Sequence, residues 1–227
     1  GCRYFTDNRY TEAAENGIKG FEVLDVAKGG GYVACINKCI EDFGITTFGY
    51  EENYITVAEF MMYEKGVNAK FVPFTKQING FRAVKEEWEL NIMRKAQAIT
   101  DKAFAEVCPR IKVGMTEREI EGMFVAEMMR LGAESYVQAF APMIASGPVN
   151  SFVSMRRNEE RPVEESEIIS IGCGTCYGGY NGMICTPLVL GEIPDHMKDA
   201  VMCAYDALSY ASSKMAPGVS CDVVMNA

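Results

Sequence analysis

The chain has 227 residues, 48% of them hydrophobic, and a formal net charge of -9. That length admits two modest domains with packed cores, and the apolar share excludes a disordered chain. The acidic balance argues against a nucleic-acid groove or an anionic membrane surface, and no apolar run approaches a membrane span of about 20 residues.

In the first eighty residues, RYFT, FEVLDV, ITTFGY and AKFVPF read as strands, the last closed by Pro73. Helical spacing occupies Arg9–Gly17, Tyr32–Phe43 and Ile55–Gly66 between them. This alternation predicts a small α/β domain. Gly29, Gly30 and Gly31 lack the spacing of a phosphate loop and read as a helix entry. The pattern breaks around FTKQINGFRAVK, which places the domain boundary near Gly80: residues 1–80, then 81–227.

A long amphipathic helix follows, with Trp88, Ile92, Ile99, Ala103 and Val107 on one stripe, ended by Pro109. Thr116 and Glu119 form a capping box for the next helix, whose buried face is Ile120, Phe124, Met128 and Leu131, with Gly132 as its C-terminal stop. The acidic run EERPVEESE, flanked by Arg156, Arg157 and Arg161, reads as a solvated turn. ISIGCGTCYGGYNGMICTP reads as a hairpin around a Gly-Gly turn, and from Ile168 to Gly191 it carries no charged residue and no His. A second long helix, Asp195 to Met215, places Met197, Val201, Tyr205 and Leu208 at helical spacing. Lys-Val-Gly-Met-Thr at 112–116 returns as Ala-Pro-Gly-Val-Ser at 216–220, so helix, Gly turn and hydroxyl cap occur twice. That duplication predicts two related halves about a pseudo-twofold axis.

The nine cysteines have no disulfide-framework spacing and fit reduced thiols in a cytoplasm. Cys173 and Cys176 fall short of a zinc ligand set even with Cys185, and they lead into a turn rather than a redox helix. His196, the one histidine of the sequence, begins a helix as an exposed turn residue without a catalytic partner. The first residue is Gly, and SCDVVMNA stops as a helix begins, so a fragment truncated at both ends is expected.

TDNRYTEAA, GFRAVKEEWELNIMRKAQAITDKAF, VGMTEREIE and IASGPVNS resemble the aminopeptidase P/prolidase/creatinase family, peptidase M24-like, along almost the whole chain. The resemblance implies an α/β plus α+β architecture, a small N-terminal α/β domain followed by a pita-bread domain. It also implies a homodimer, and a site in which two Asp, a His and two Glu hold two divalent cations that activate water. In such proteins one hairpin strand reads acid-hydrophobe-Gly and the next Gly-Tyr-x-Ser-Asp-x-Thr-Arg. Here the first acid aligns with Ser170, the second with Met183, the Arg with Thr186 and the His with Ser154.

Ser154, Ser170, Met183 and Cys185 are therefore the expected pocket-lining residues, with no residue assigned a catalytic role and no metal or other cofactor expected. The leading reading is a metal-independent hydrolase of a small amide or amidine. Two others stay open: a non-catalytic pseudoenzyme that binds a peptide or protein, and a metal-dependent proline-specific aminopeptidase. The expected partners are a small-molecule or peptide ligand and a second copy of the chain, with no nucleic acid and no membrane.

Overall fold

A computed structural model describes residues 2–134, 142–150 and 160–227. The chain divides into two compact units, Gly1–Lys85 and Glu86–Ala227. In the first, β1 (Arg3–Thr6), α1 (Thr11–Gly17) and β2 (Glu22–Asp25) form a parallel βαβ unit. After α2 (Tyr32–Phe43), β3 (Thr47–Tyr50), α3 (Val57–Gly66) and β4 (Lys70–Pro73) form another. The apolar stripe of α2 supplies Ile36 and Ile40 to a core shared with Val67, Phe48 and Phe71. Gly31 enters α2 and Gly44 ends it, both at positive φ, where a Cβ would be strained. The segment that breaks the sequence pattern folds as α4 (Thr75–Ala83), so Gly80 lies inside a helix.

The second unit opens with α5 (Glu87–Val107), followed by a 3-10 turn at Cys108–Arg110 and by α6 (Glu117–Arg130). Thr116 caps α6 as expected: its hydroxyl accepts from Glu119 N–H, and the Glu119 carboxylate accepts from Thr116 N–H at 2.8 Å. β5 (Met143–Ser146), a short helix α7 (Gly147–Asn150), β6 (Glu167–Tyr177) and β7 (Tyr180–Leu190) complete the layer facing these helices. The three strands make one antiparallel sheet in the order β5-β6-β7. Ile99, Ala103 and Val107 of α5 and Ile120, Phe124 and Met128 of α6 pack with Ile144, Ile169, Ile171 and Cys173 of the sheet. Burying an aliphatic side chain of this size is worth about 1.5–3 kcal/mol, so this layer holds the unit together.

Two helical faces depart from the sequence reading. Trp88, expected on the buried stripe, is 56% exposed and meets Tyr180 edge-on with ring centroids 6.3 Å apart. It stands in the first turn of α5, at the hairpin tip rather than over the middle of the sheet. The last helices are α8 (Asp195–Ser213) and α9 (Cys221–Met225). No residue of α8 is buried, and Tyr205 and Leu208 are 62% and 65% exposed. The repeated turn is present in both copies: Gly114 and Gly218 have φ of +89° and +85°, and each is followed by a hydroxyl cap, Thr116 accepting from Glu119 N–H and Ser220 from Asp222 N–H. Among the described residues, no helix is long and apolar enough to cross a membrane.

Candidate functional site at the charge-free hairpin

The hairpin has the boundaries its sequence predicts, with Tyr177 opposite Tyr180 and the chain reversing at Gly178 and Gly179. Both glycines have positive φ, +57° and +77°, as a two-residue hairpin turn requires. A Cβ on Gly178 would also lie 2.8 Å from Ile92 Cγ2 of α5.

Helix α5 holds the hairpin at several levels. Thr175 Oγ1 donates to the Ala96 carbonyl at 2.9 Å, and Thr100 Oγ1 shares that carbonyl at 3.1 Å. The two hydroxyls are 2.9 Å apart, fully buried. Beside them β7 carries Gly182, whose missing Cβ would sit 2.6 Å from Ala96 C and Gln97 N. Only glycine lets strand and helix backbones come this close. One residue on, the Gln97 amide spans the Met183 backbone, accepting from its N–H at 3.0 Å and donating to its carbonyl at 3.1 Å. Toward the tip, the Lys95 ammonium lies 4.1 Å from the Tyr177 ring centroid, and Tyr180 donates to Glu89.

Alternation along the strands sorts the hairpin into two faces. Ile169, Ile171, Cys173 and Thr175 face α5 and α6, with their partners Leu188, Thr186, Ile184 and Gly182. Ser170, Gly172, Gly174 and Cys176 share the other face with Pro187, Cys185, Met183 and Asn181. Beyond Glu167, strand β6 is buried on both faces over most of its length, which accounts for the absence of charge from Ile168 onward. Strand β7 has no such reason: Met183 is 56% exposed and Cys185 is exposed. Burial alone therefore does not exclude a carboxylate at 183.

Of the expected pocket residues, Ser170, Met183 and Cys185 share this face, while Ser154 lies outside the described residues. Sharing a face does not bring them together. Ser170 pairs with Pro187 and Met183 with Gly174, four residues apart along the strand, or roughly 13 Å. Cys173 and Cys176 project to opposite faces of β6, so this pair does not converge on one atom. Burial pushes the Cys173 thiol up to about 12 and the Cys108 thiol up to about 11, which keeps both protonated and unreactive. Exposed His196, in the first turn of α8, is where the sequence placed it.

At the base of the hairpin lies a cluster that the sequence reading missed. Arg161, read as part of a solvated turn, has a side chain only 18% exposed. Its guanidinium grips both oxygens of Glu167 at 2.8 Å and reaches Ser146 Oγ at 2.5 Å. Buried Glu117 accepts from the N–H and hydroxyl of Ser146, at 2.8 and 2.7 Å. Burial pushes the Glu167 carboxyl up, but the bonds from Arg161 and Glu164 N–H outweigh it and hold the group below its ordinary value. Gly147 makes room for the cluster: at φ +70°, its Cβ would fall 2.6 Å from Arg161 Nη2. The sequence signal was Ser-Gly-Pro following a strand, with Glu117 buried in the first turn of a capped helix.

The fold and hairpin define a class, and comparison with known proteins names it. Residues 91–227 match the metallopeptidase family M24 and residues 1–84 the creatinase/prolidase N-terminal domain, so this chain belongs to the M24 family. The uncharacterized peptidase YqhT of Bacillus subtilis is 27% identical over 218 residues, covering 96% of this chain and 60% of YqhT. The Xaa-Pro dipeptidase of Pyrococcus horikoshii is 29% identical over 180 residues, 78% of this chain and 50% of that protein. In structure, the X-Pro aminopeptidase of Thermotoga maritima superposes with a TM-score of 0.87 at 29% identity, covering 98% of this chain and 63% of that one. The chain thus spans about 60% of the length of these relatives or less.

Membership implies divalent cations, and the face on view does not fit them. Between Ser170 and Pro187 it offers glycines, one hydroxyl, one amide, one thioether and two thiols. A two-cation hydrolytic centre needs hard oxygen ligands, chiefly carboxylates that bridge the ions. Among the described residues, no group of three or more His, Cys, Asp or Glu could hold a metal ion.

Proposed function

We propose that this protein is an M24 family member that does not build the two-cation centre on its hairpin, and that it binds a peptide or small amide there without metal-dependent hydrolysis. The observation that carries the reading is the donor set of the hairpin face, which has no carboxylate and no imidazole. Metal-independent hydrolysis of a small amide or amidine, first in order from the resemblance, needs an acid-base group, and this face offers only the Cys176 and Cys185 thiols, with no carboxylate or imidazole. The geometry therefore favours binding over turnover. A homodimer and a reducing, cytoplasmic setting belong to the same reading; the latter is supported by nine free cysteines.

The test uses full-length protein. Xaa-Pro dipeptides and a panel of small amides and amidines are incubated with added Mn2+, and separately after chelation. Calorimetry with the same compounds reports binding. The expected result is binding without Mn2+-dependent hydrolysis. Hydrolysis that needs Mn2+ would refute the proposal, and hydrolysis that survives chelation would replace it with the metal-independent hydrolase.

A further inference from the structure

The register of the hairpin bears on which positions have lost their carboxylates, an inference that rests on the metal-free reading above. The pattern acid-hydrophobe-Gly fits β6 in two places, Ser170-Ile171-Gly172 and Gly172-Cys173-Gly174, two residues out of step. Both triplets put their first residue on the same face as Met183, because a two-residue slip preserves the side-chain direction. Periodicity cannot choose between them. Distance can.

Side chains stand nearly perpendicular to a sheet, so two carboxylates on one face lie about as far apart as their Cα atoms, give or take a few ångströms. Oxygens that share a cation, or bridge two cations about 3.5–4 Å apart, must come from near neighbours. Position 183 is held in place by its pairing with Gly174 and by the Gln97 amide on its backbone. Ser170 is four residues from that rung, roughly 13 Å along the strand. Gly172 is two residues from it, opposite Cys185, which makes it the diagonal neighbour of Met183 at about 7–8 Å.

We infer that Gly172 and Met183 are the two vacated clamp positions, and that Ser170 was never one of them. One acid has been replaced by glycine, which removes the side chain altogether, and the other by a thioether. Ser170 is then an ordinary strand residue whose hydroxyl says nothing about lost chemistry.

The experiment compares Mn2+ binding by full-length protein, with free Mn2+ read by electron paramagnetic resonance. Three double variants are made: Gly172→Asp with Met183→Asp, Ser170→Asp with Met183→Asp, and Gly172→Asn with Met183→Asn as an uncharged control. The expected result is at least tenfold tighter Mn2+ binding by the Gly172 acid pair than by the unmutated protein or the Ser170 pair. Thermal melts add an independent readout, in which Mn2+ raises the midpoint of the Gly172 acid pair and leaves the Asn pair unmoved. Equal or tighter binding by the Ser170 pair would overturn the inference. So would a folded Gly172 acid pair that ignores Mn2+, or a position 172 that accepts neither Asp nor Asn, since a former ligand position has room for a side chain. Tight binding of two Mn2+ by the unmutated protein would instead sink the metal-free reading itself.

Discussion

Replacing Gly182 by Ala puts a methyl group where the α5 backbone already stands. The added carbon would lie 2.6 Å from Ala96 C, 2.6 Å from Gln97 N and 2.7 Å from Ala96 O. These are backbone atoms in the middle of a helix, so no side chain can swing aside to relieve the overlap. β7 has to back away by most of an ångström. Overpacking of this kind costs about 1–3 kcal/mol. The displacement also stretches the bonds beside it, from Thr175 to the Ala96 carbonyl at 2.9 Å and from Gln97 to Met183 at 3.0 and 3.1 Å. Each is worth roughly 0.5–1.5 kcal/mol. Relief of glycine's backbone entropy returns about 0.5–1 kcal/mol, so a net loss of about 3 kcal/mol is expected. For a chain of this size, that lowers the melting midpoint by about 6–12 °C. Circular dichroism melts provide the measurement, and Gly122→Ala provides the contrast. Gly122 lies inside α6 with nothing within 4 Å of its missing Cβ, so that change is expected to stabilise by about 0.5–1 kcal/mol. A Gly182→Ala midpoint within about 2 °C of the unmutated protein would refute the claim that strand and helix are in backbone contact.

Three further outcomes are expected. Arg161→Met leaves Glu167 in a mostly buried site without its guanidinium and costs about 3 kcal/mol, read as a lower urea midpoint near neutral pH. Glu167 is held below its ordinary 4.5, so its pairing contributes stability above about pH 4.5 that is lost as the pH falls through the lower, folded value. Urea midpoints from pH 6 to pH 3 should show that acid-side loss in the unmutated protein and a smaller one in Arg161→Met; equal slopes would refute the assignment. In native alkylation at pH 8 followed by peptide mass spectrometry, exposed Cys185 should be labelled while Cys173, raised by burial to about 12, stays free. Equal labelling of the two would contradict their placement on opposite faces.

Local chemistry settled much of this protein in advance. The capping box at Thr116, the glycine stop at 132 and the charge-free hairpin turning at Gly178 and Gly179 follow from residues a few positions apart, where φ preferences and side-chain caps act without help from the rest of the chain. The likeness of whole motifs reached further, to the family and its fold. Tertiary structure decided what depends on distant partners. Arg161 looks like one more charge in an acidic surface run until the strand carrying Glu167 and the end of β5 at Ser146 close around it. Trp88 continues an apolar stripe, but the stripe outruns the middle of the sheet it packs on. The proposed choice of Gly172 over Ser170 draws on the same kind of information. A slip of two residues leaves each side chain on its own face, so alternation in the sequence is blind to it. Only the ladder counted back from the Gly-Gly turn, with β7 pressed onto α5 at Gly182, says which residue of β6 stands diagonal to Met183.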